Sequence, residues 1–574
     1  MTERTKSKIK FVGLHAHSVA GSIFDGLGFP QEHMEFAYSN GSDALALTDH
    51  GNMNGLSYQV LHAKKMKAEG KDFKPIFGCE AYFLPSIEKW REEYDQAMLD
   101  KKKARAAKKA GASGATVEDE GASKGKSGNV LRRRRHLVLL AQNQKGLNNL
   151  FKLISESYTD ENFYRYPRMD YKLLKKYGEG IIASSACLGG VYAGNYWENR
   201  EEGPEAVLEA MRETTRNMLD VFGDRWHGEI QWNNVPEQHE LNKFVIQVCE
   251  EFGVKVISTA DSHYPNRDAW KDRELYKRLG WLGKGKPSWA DTESELPLSV
   301  EEIGYELYPK NGDEMWESYK NYSKLCDTTY DDDFVLQTIE ETHRIAFDRI
   351  EDFLPDNTVR LPSFVVPAGY TATEALIKFS IDGLNKLGLA DNKDYLARLK
   401  HELNIIDDRG FSKYFLTMKA IVDVTDTMML AGAGRGSGAG SLVAYCLGIT
   451  QIDPIKYGLL FSRFLRSDAE DYPDIDYDVS RPMELKDKLI ELWGEDCVAP
   501  ISNWNTLQLK SLIKDISKLY GIEFSEVNLV TNAMIKEATP LAKQKHGIKA
   551  GMYNPTWQEV MEFSSSLKQF LNTY

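Results

Sequence analysis

Over roughly the first 280 residues, short β-rich runs alternate with helical patterns, and no other feature of the sequence constrains the fold as strongly. FVGLHAH, ALALTDH, PIFGCEAYF, HLVLLAQ, GIIASSAC, GEIQW and VKVISTADSH read as strands, while EAVLEAMRETTRNMLDVF and QHELNKFVIQVCEEF have helical spacing. Such alternation predicts a mostly parallel α/β architecture, with a barrel as one closed form. A second α/β region is expected from about Trp289 to Asn505. The last 70 or so residues, with LQLKSLIKDISKLYGI, FSEVNLVTNAMIKEA and WQEVMEFSSSLKQFL, read as helices only.

Composition narrows the setting. At 574 residues the chain exceeds one core, so several domains are expected. No stretch approaches the ~20 consecutive apolar residues of a membrane span, and the charged MTERTKSKIK start lacks a secretory core, so the expected location is cytoplasmic. The cysteines, Cys79, Cys187, Cys249, Cys326, Cys446 and Cys497, form no CxxC pair, which argues against a disulfide framework or a zinc ribbon. A net charge of −13 requires any nucleic-acid contact to be local. Lys101 to Arg135 contains twelve basic and three acidic residues around a Gly/Ala/Ser-rich middle. A flexible basic insertion, about 88–135 at its widest, is the expectation, either a solvated loop or a DNA-touching arm.

Metal-capable residues gather where the predicted strands end. His15 and His17 are two apart, as are Asp261 and His263, so on a strand each pair presents two donors to one face. Asp25, His50, Glu80, His136 and Cys187 close or open the intervening runs. In a barrel these positions converge. Nine nitrogen, sulfur and oxygen donors exceed the needs of one ion, and the mixture suits a cluster of Zn²⁺ or Mn²⁺, with Fe a further candidate. Such clusters hydrolyse phosphoesters.

Two further patterns lie in the second region. In AGAGRGSGAGSLVAYCLGI, glycines at 432, 434, 436, 438 and 440 allow backbone N–H groups to approach phosphates, Arg435 and Ser437 add donors, and the run from Leu442 reads as a helix whose N-terminus would face the anion. DAEDYPDIDYD packs six acids into eleven residues. On a strand Asp474, Asp476 and Asp478 would share one face, with Ile475 and Tyr477 on the other, and a divalent cation such as Mg²⁺ would relieve the repulsion. Carboxylates holding two Mg²⁺ opposite a triphosphate loop is the plan of two-metal phosphoryl transfer.

Together FVGLHAHS, ALALTDHGNMNG, PIFGCEAY, HLVLLAQNQKGLNNL, IIASSACLGG and STADSHY resemble the polymerase and histidinol phosphatase (PHP) domain that opens bacterial replicative DNA polymerase III alpha subunits. The resemblance implies a distorted (β/α)7 PHP barrel over 1–285, the first part of a polymerase-beta-like palm over 286–505 and a helical thumb over 506–574. It implies that all nine donors ligate metal in a 3′–5′ proofreading exonuclease, although HSVAGSIFDG is one residue longer before Asp25 than the usual pattern. GRGSGAGSLVAYCLGI resembles the family's Gly-Ser motif, which places the triphosphate on Gly436 and Ser437. Asp474 and Asp476 match two of its three catalytic aspartates, and Arg463 keeps its family identity. Ala469 stands where an arginine is usual, with Arg466 nearby, and Lys510 lies on the thumb's DNA-facing side.

The third aspartate and the fingers have no counterpart in the 574 residues. The expectation is therefore a DNA-directed DNA polymerase portion that binds primer-template DNA and dNTP, needs a second chain to complete palm and fingers, and reaches a sliding clamp through that chain. A free-standing metal-dependent phosphoesterase or nuclease with a non-catalytic palm remnant is the alternative.

Overall fold

The computed structural model describes residues 4–109, 133–282, 303–356, 366–468, 472–499, 501, 508–549 and 551–573. Two compact units result, one comprising Met1–Asp356 with Leu507–Tyr574 and the other Asn357–Thr506.

Eight strands build the first unit: β1 (Ala44–Leu47), β2 (Lys74–Phe83), β3 (Arg135–Ala141), β4 (Phe163–Tyr164), β5 (Tyr166–Met169), β6 (Ile181–Ser184), β7 (Trp226–Gln231) and β8 (Lys255–Thr259). Pairing runs β1, β2, β3, β6, β7, β8, with the β4–β5 hairpin attached beside β2. β3 is antiparallel to both neighbours, while β1–β2, β6–β7 and β7–β8 are parallel. The residues before β1 curl the sheet toward closure. Ala46 N–H donates to Gly13 O at 2.8 Å on one side, and on the other Ser262 N–H donates to His15 O at 3.1 Å.

β1, β2, β6 and β7 are buried along their whole length on both faces, which explains their near-continuous apolar runs. Along β3, Leu137, Leu139 and Ala141 face the outer helices with Ile181 and Ala183. Val138 and Leu140 point inward to Val12, Leu14, Ala46, Ile76, Ile182 and Ile257. Ile345, Ala346 and Ile350 join this inner cluster near the start of β2, where Lys74 Nζ donates to the carbonyls of Ala346 (2.7 Å) and Ile350 (2.5 Å).

The boundary expected near residue 286 does not match the packing. Helices Gly312–Leu325 and Asp332–Arg344 lie on the barrel, with Met315, Tyr319, Val335 and Ile339 in its outer core and Thr342 Oγ1 accepting from Val12 N–H at 3.1 Å. The expected insertion opens as a helix, Ile87–Lys109, and residues 110–132 lie outside the described residues. Arg133 and Arg135 are ion-paired to Glu93 (3.1 Å) and Glu198 (2.6 Å). The C-terminal helices Leu509–Leu519, Phe524–Lys545, Trp557–Phe563 and Ser565–Thr573 enclose Ile513, Val527, Met534, Val560, Leu567 and Phe570.

The second unit is helical where α/β alternation was expected. Helices Ala372–Lys386, Lys393–Asp408 and Ser412–Met428 pack Leu376, Leu384, Leu399, Ile406 and Phe415 around the short helix Leu442–Cys446. Among its described residues there is no strand, only an isolated bridge between Ala431 and Val479.

Candidate functional site

The nine donors singled out from the sequence converge in the first unit. His15 and His17 follow the bridging segment beside β1, His50 follows β1, Glu80 lies in β2, His136 in β3, Cys187 beyond β6, and Asp261 and His263 beyond β8. Because β3 runs antiparallel, its His136 near the strand start reaches the same end of the barrel as the others.

Glu80 is the centre. Its Oε1 lies 3.2 Å from His15 Nε2, 3.0 Å from His136 Nδ1 and 3.8 Å from Cys187 Sγ. Its Oε2 lies 2.6 Å from His50 Nδ1 and 3.5 Å from His17 Nε2. Asp261 Oδ1 stands 3.2 Å from the Nε2 atoms of both His15 and His17. Asp25 Oδ2 reaches His50 Nε2 at 3.3 Å and His263 Nε2 at 3.8 Å. The longer loop before Asp25 is tied down by Arg273, whose Nε donates to Asp25 O at 2.9 Å, and by Tyr276, whose hydroxyl donates to Ile23 O.

Opposed charges govern protonation here. Burial would pull His15 and His50 down, but Asp261, Glu229 and Glu80 around the first, and Asp25 and Glu80 around the second, carry both well above the usual imidazole range. Burial would raise Glu80, yet His136, His15 and His50 hold it well below the ordinary carboxylate range. Asp25 and Asp261 are likewise lowered by their histidines despite burial. Burial pushes His263 down to about 3, and burial with the neighbouring carboxylates drives the Cys187 thiol up.

The donor set fits a cluster of divalent ions. Three groups, His17/His50/His263, His15/His17/Glu80 and His50/Glu80/His136, each place their ligand atoms within 4.8 Å of one another. His15 Nε2, His17 Nε2, His50 Nδ1, Glu80 Oε2, Asp25 Oδ1 and Asp261 Oδ1 are buried and lack an aligned hydrogen-bond partner among the described residues. Buried polar atoms are rarely left so, and five of these, all but Asp25 Oδ1, lie in the short contacts around Glu80 and Asp261.

Sequence reasoning missed the groups behind the donors. Glu229 on β7 accepts from His15 Nδ1–H at 2.7 Å, Ser184 Oγ at 2.6 Å and Thr259 Oγ1 at 2.5 Å. Asp49 accepts from Ser22 Oγ at 2.9 Å, and Ser22 Oγ stands 3.0 Å from His17 Nδ1. A signal was present for the first: Ile230 packs outward, so Glu229 and Gln231 place two polar side chains on the inward face of a barrel strand.

In the second unit the glycine loop and the acidic run meet. Gly432 N–H donates to Asp478 O at 2.9 Å. Arg435 ion-pairs with Asp476 at 3.4 Å and with Asp478 at 3.3 Å. Gly436 has φ +65°, and a Cβ there would lie 2.0 Å from Asp476 Oδ2, so any other residue is strained and must displace the Asp476 carboxylate. Ile475 and Tyr477 turn toward the helical core while Asp474 and Asp478 are exposed, which keeps the alternation, although residues 472–478 pair with no strand among the described residues. Ser437 opens the single turn Ser437–Gly440 and is exposed, as is Arg463 in the turn Phe461–Arg463. Arg466 pairs with Asp468 at 3.1 Å, and Ala469 lies outside the described residues. Lys510 is exposed and donates to Asn532.

One expectation fails. The N-terminus of helix Leu442–Cys446 is not open to an anion, because the buried Glu402 carboxylate accepts from Leu442 N–H, Val443 N–H and Ser441 Oγ, all at 3.0 Å, and from Arg398 Nε at 2.6 Å. A carboxylate of the chain occupies the place assigned to phosphate. The helix N-terminus therefore offers no phosphate site, which leaves the glycine loop and the exposed arginines near it.

Residues 13–233 match the PHP domain family, and residues 374–573 match the bacterial DNA polymerase III alpha NTPase domain. The chain is 33% identical to the DNA polymerase III subunit alpha of Aquifex aeolicus over 98% of its own length and 43% of the relative's. It is 31% identical to that of Borreliella burgdorferi, over 91% and 40% of the two lengths. It is 30% identical to that of Thermus aquaticus, over 90% and 42%. The chain thus spans about two fifths of these relatives. No helix among the described residues is long and apolar enough to cross a membrane.

Proposed function

We propose that this chain, which belongs to the family of bacterial DNA polymerase III alpha subunits, is a metal-dependent 3′–5′ exonuclease joined to the first part of a polymerase palm. The observation that carries the nuclease reading is the set of buried donor atoms without aligned partners, five of which lie in short contacts around Glu80 and Asp261 at the end of the barrel.

His15, His17, Glu80 and Asp261 would hold the inner part of a Zn²⁺ or Mn²⁺ cluster, and Asp25, His50, His136, Cys187 and His263 the part nearer the opening. Such ions supply a bound hydroxide at neutral pH and a clamp for phosphate oxygens. The residues do the rest. Glu80, Asp25 and Asp261 stay ionised among their histidines, and the full burial of Glu80, His15 and His17 excludes bulk water from the inner donors. The side-chain exposures of His50, His136 and Asp25, 14%, 17% and 34%, mark the side from which a 3′ end would enter. Incubation of single-stranded DNA with the Mn²⁺-loaded protein should shorten it from the 3′ end. Activity unchanged by chelator, or by His15→Ala, refutes the reading.

For the palm, Asp474 and Asp476 would bind Mg²⁺, and Gly436, Ser437, Arg435 and Arg463 the triphosphate of an incoming dNTP on a primer-template. Support comes from the approach of Gly436 and Arg435 to Asp476. In this proposal a second chain brings the third carboxylate, the fingers and any contact with a sliding clamp. Primer extension that appears only on mixing the two chains supports it, and no gain on mixing rejects it.

A further inference from the structure

His15 and His17 differ from the other donors in what stands behind them. In both, Nε2 is the atom left without an aligned partner, and in both Nδ1 is occupied. For His15 the occupant is Glu229, which is 3% exposed and accepts through Oε1 from His15 Nδ1–H and Thr259 Oγ1, and through Oε2 from Ser184 Oγ. An ionised carboxylate only accepts, so the proton of His15 is on Nδ1.

For His17 the same result comes through a relay. Ser22 Oγ has one hydrogen, and it goes to Asp49 Oδ1 at 2.9 Å. Asp49 is itself fixed, accepting from Ser18 N–H at 2.6 Å and from Ser18 Oγ at 2.9 Å. Ser22 Oγ therefore accepts its remaining contacts, from His50 N–H at 3.1 Å and from His17 at 3.0 Å. His17 Nδ1 must carry the proton, and its Nε2 lone pair faces Glu80 and Asp261.

From this geometry we infer that Glu229 and the Asp49–Ser22 pair are positioning residues that hold the two N-terminal histidines in the Nδ1–H form, so that both present Nε2 to divalent metal. Neither group ligates. Each sets which nitrogen its histidine offers and the angle of the ring, a role that typically changes metal affinity 10- to 100-fold. The inference rests on reading the barrel cluster as a metal centre and not on its cutting DNA.

The test uses Zn²⁺ alone, with the full chain. Zinc affinity is measured by competition with a chromophoric chelator for wild type, Glu229→Gln and Ser22→Ala, and histidine-selective ¹⁵N spectra of the Zn²⁺-loaded wild type report which ring nitrogen carries hydrogen. Expected are Nδ1–H signals for His15 and His17, and at least a tenfold loss of zinc affinity in each variant with the far-UV spectrum unchanged. Ser22→Thr, which keeps the hydroxyl, should restore most of the affinity lost in Ser22→Ala. Nε2–H on either histidine overturns the inference without any variant, as does wild-type affinity in both Glu229→Gln and Ser22→Ala. A wild type that binds no zinc overturns the metal-centre reading itself, whereas zinc binding without nuclease activity rejects only the exonuclease.

Discussion

Lys310 offers a quantitative test of the segment 303–311, a strap whose Leu307 carbonyl holds the backbone of His263. Its side chain is 3% exposed, donates to Ser318 Oγ at 2.7 Å, and has Glu306 no nearer than 3.8 Å. The strap matters because Leu307 O accepts from His263 N–H at 2.7 Å. Burial lowers the Lys310 pKa to about 8 from the ordinary 10.5, a difference equivalent to about 3 kcal/mol. The folded state therefore binds fewer protons than the unfolded state between pH 8 and 10.5, and stability contributed by this group rises with pH across that window. Lys310→Met removes the buried charge and one hydrogen bond of about 1 kcal/mol. At pH 7 the variant should be the more stable by about 2 kcal/mol, and the gap should shrink and reverse as pH approaches 10.5. Urea midpoints of both proteins at pH 7, 8.5 and 10 measure the difference, in which other titrating groups cancel. Hydrogen exchange in helix Gly312–Leu325 locates it. A gap that stays constant or widens with pH would show that Lys310 is not held as a disfavoured cation.

Three other outcomes are expected. Gly436→Ala forces a Cβ into contact with Asp476 and a left-handed φ on alanine, costing about 1–2 kcal/mol in backbone strain. It should reduce primer extension by the complemented polymerase about a hundredfold while nuclease activity is kept; equal losses of both would refute a local effect. Glu402→Gln sets an amide N–H₂ against donors at a buried helix start, so helix Leu442–Cys446 should lose about 2–4 kcal/mol of hydrogen-exchange protection, and unaltered protection would count against the assigned hydrogen bonds. Arg435→Ala removes a 64%-exposed cation from Asp476 and Asp478, so Mn²⁺ should bind the second unit more tightly and dNTP less tightly. Paramagnetic titration and nucleotide fluorescence read the two, and movement in the same direction excludes the proposed division of labour.

The nine side chains that converge in the first unit were legible in the sequence as a group because strand ends concentrate them and because His-x-His and Asp-x-His spacing has one geometric meaning on an extended chain. Their supports were not. An aspartate beside His50 carries no spacing signal, and although Glu229 alternates with Gln231 about Ile230, only the sheet order brings it on β7 against His15. Strand direction was equally hidden, since the apolar run of β3 reads the same in either sense. In the second region the glycine loop and acidic run were visible as motifs, but their setting was misjudged. Glu402, 40 residues before the helix it caps, gives no local hint that the helix N-terminus is occupied.

If the barrel donors hold metal as proposed, the sharing of ligands among them favours a hydrolytic cluster over a structural one. Of the three donor groups in the barrel, the first two share His17, the first and third share His50, and the last two share Glu80. A carboxylate has two oxygens and can serve two ions at once. His17 cannot, because its Nδ1 is tied to Ser22 and only Nε2 remains. If His17 serves the group containing His15 and Glu80, the group with His50 and His263 is left short of a protein donor, and Asp25, the most exposed carboxylate of the set, lies beside that deficit at 3.3 and 3.8 Å from the two histidines. A structural site closes its coordination with protein ligands, while a catalytic one keeps a position for water or substrate oxygen. In the proposed exonuclease the shortage would fall on the exposed side of the cluster, where a phosphodiester would arrive, with the fully buried donors on the other.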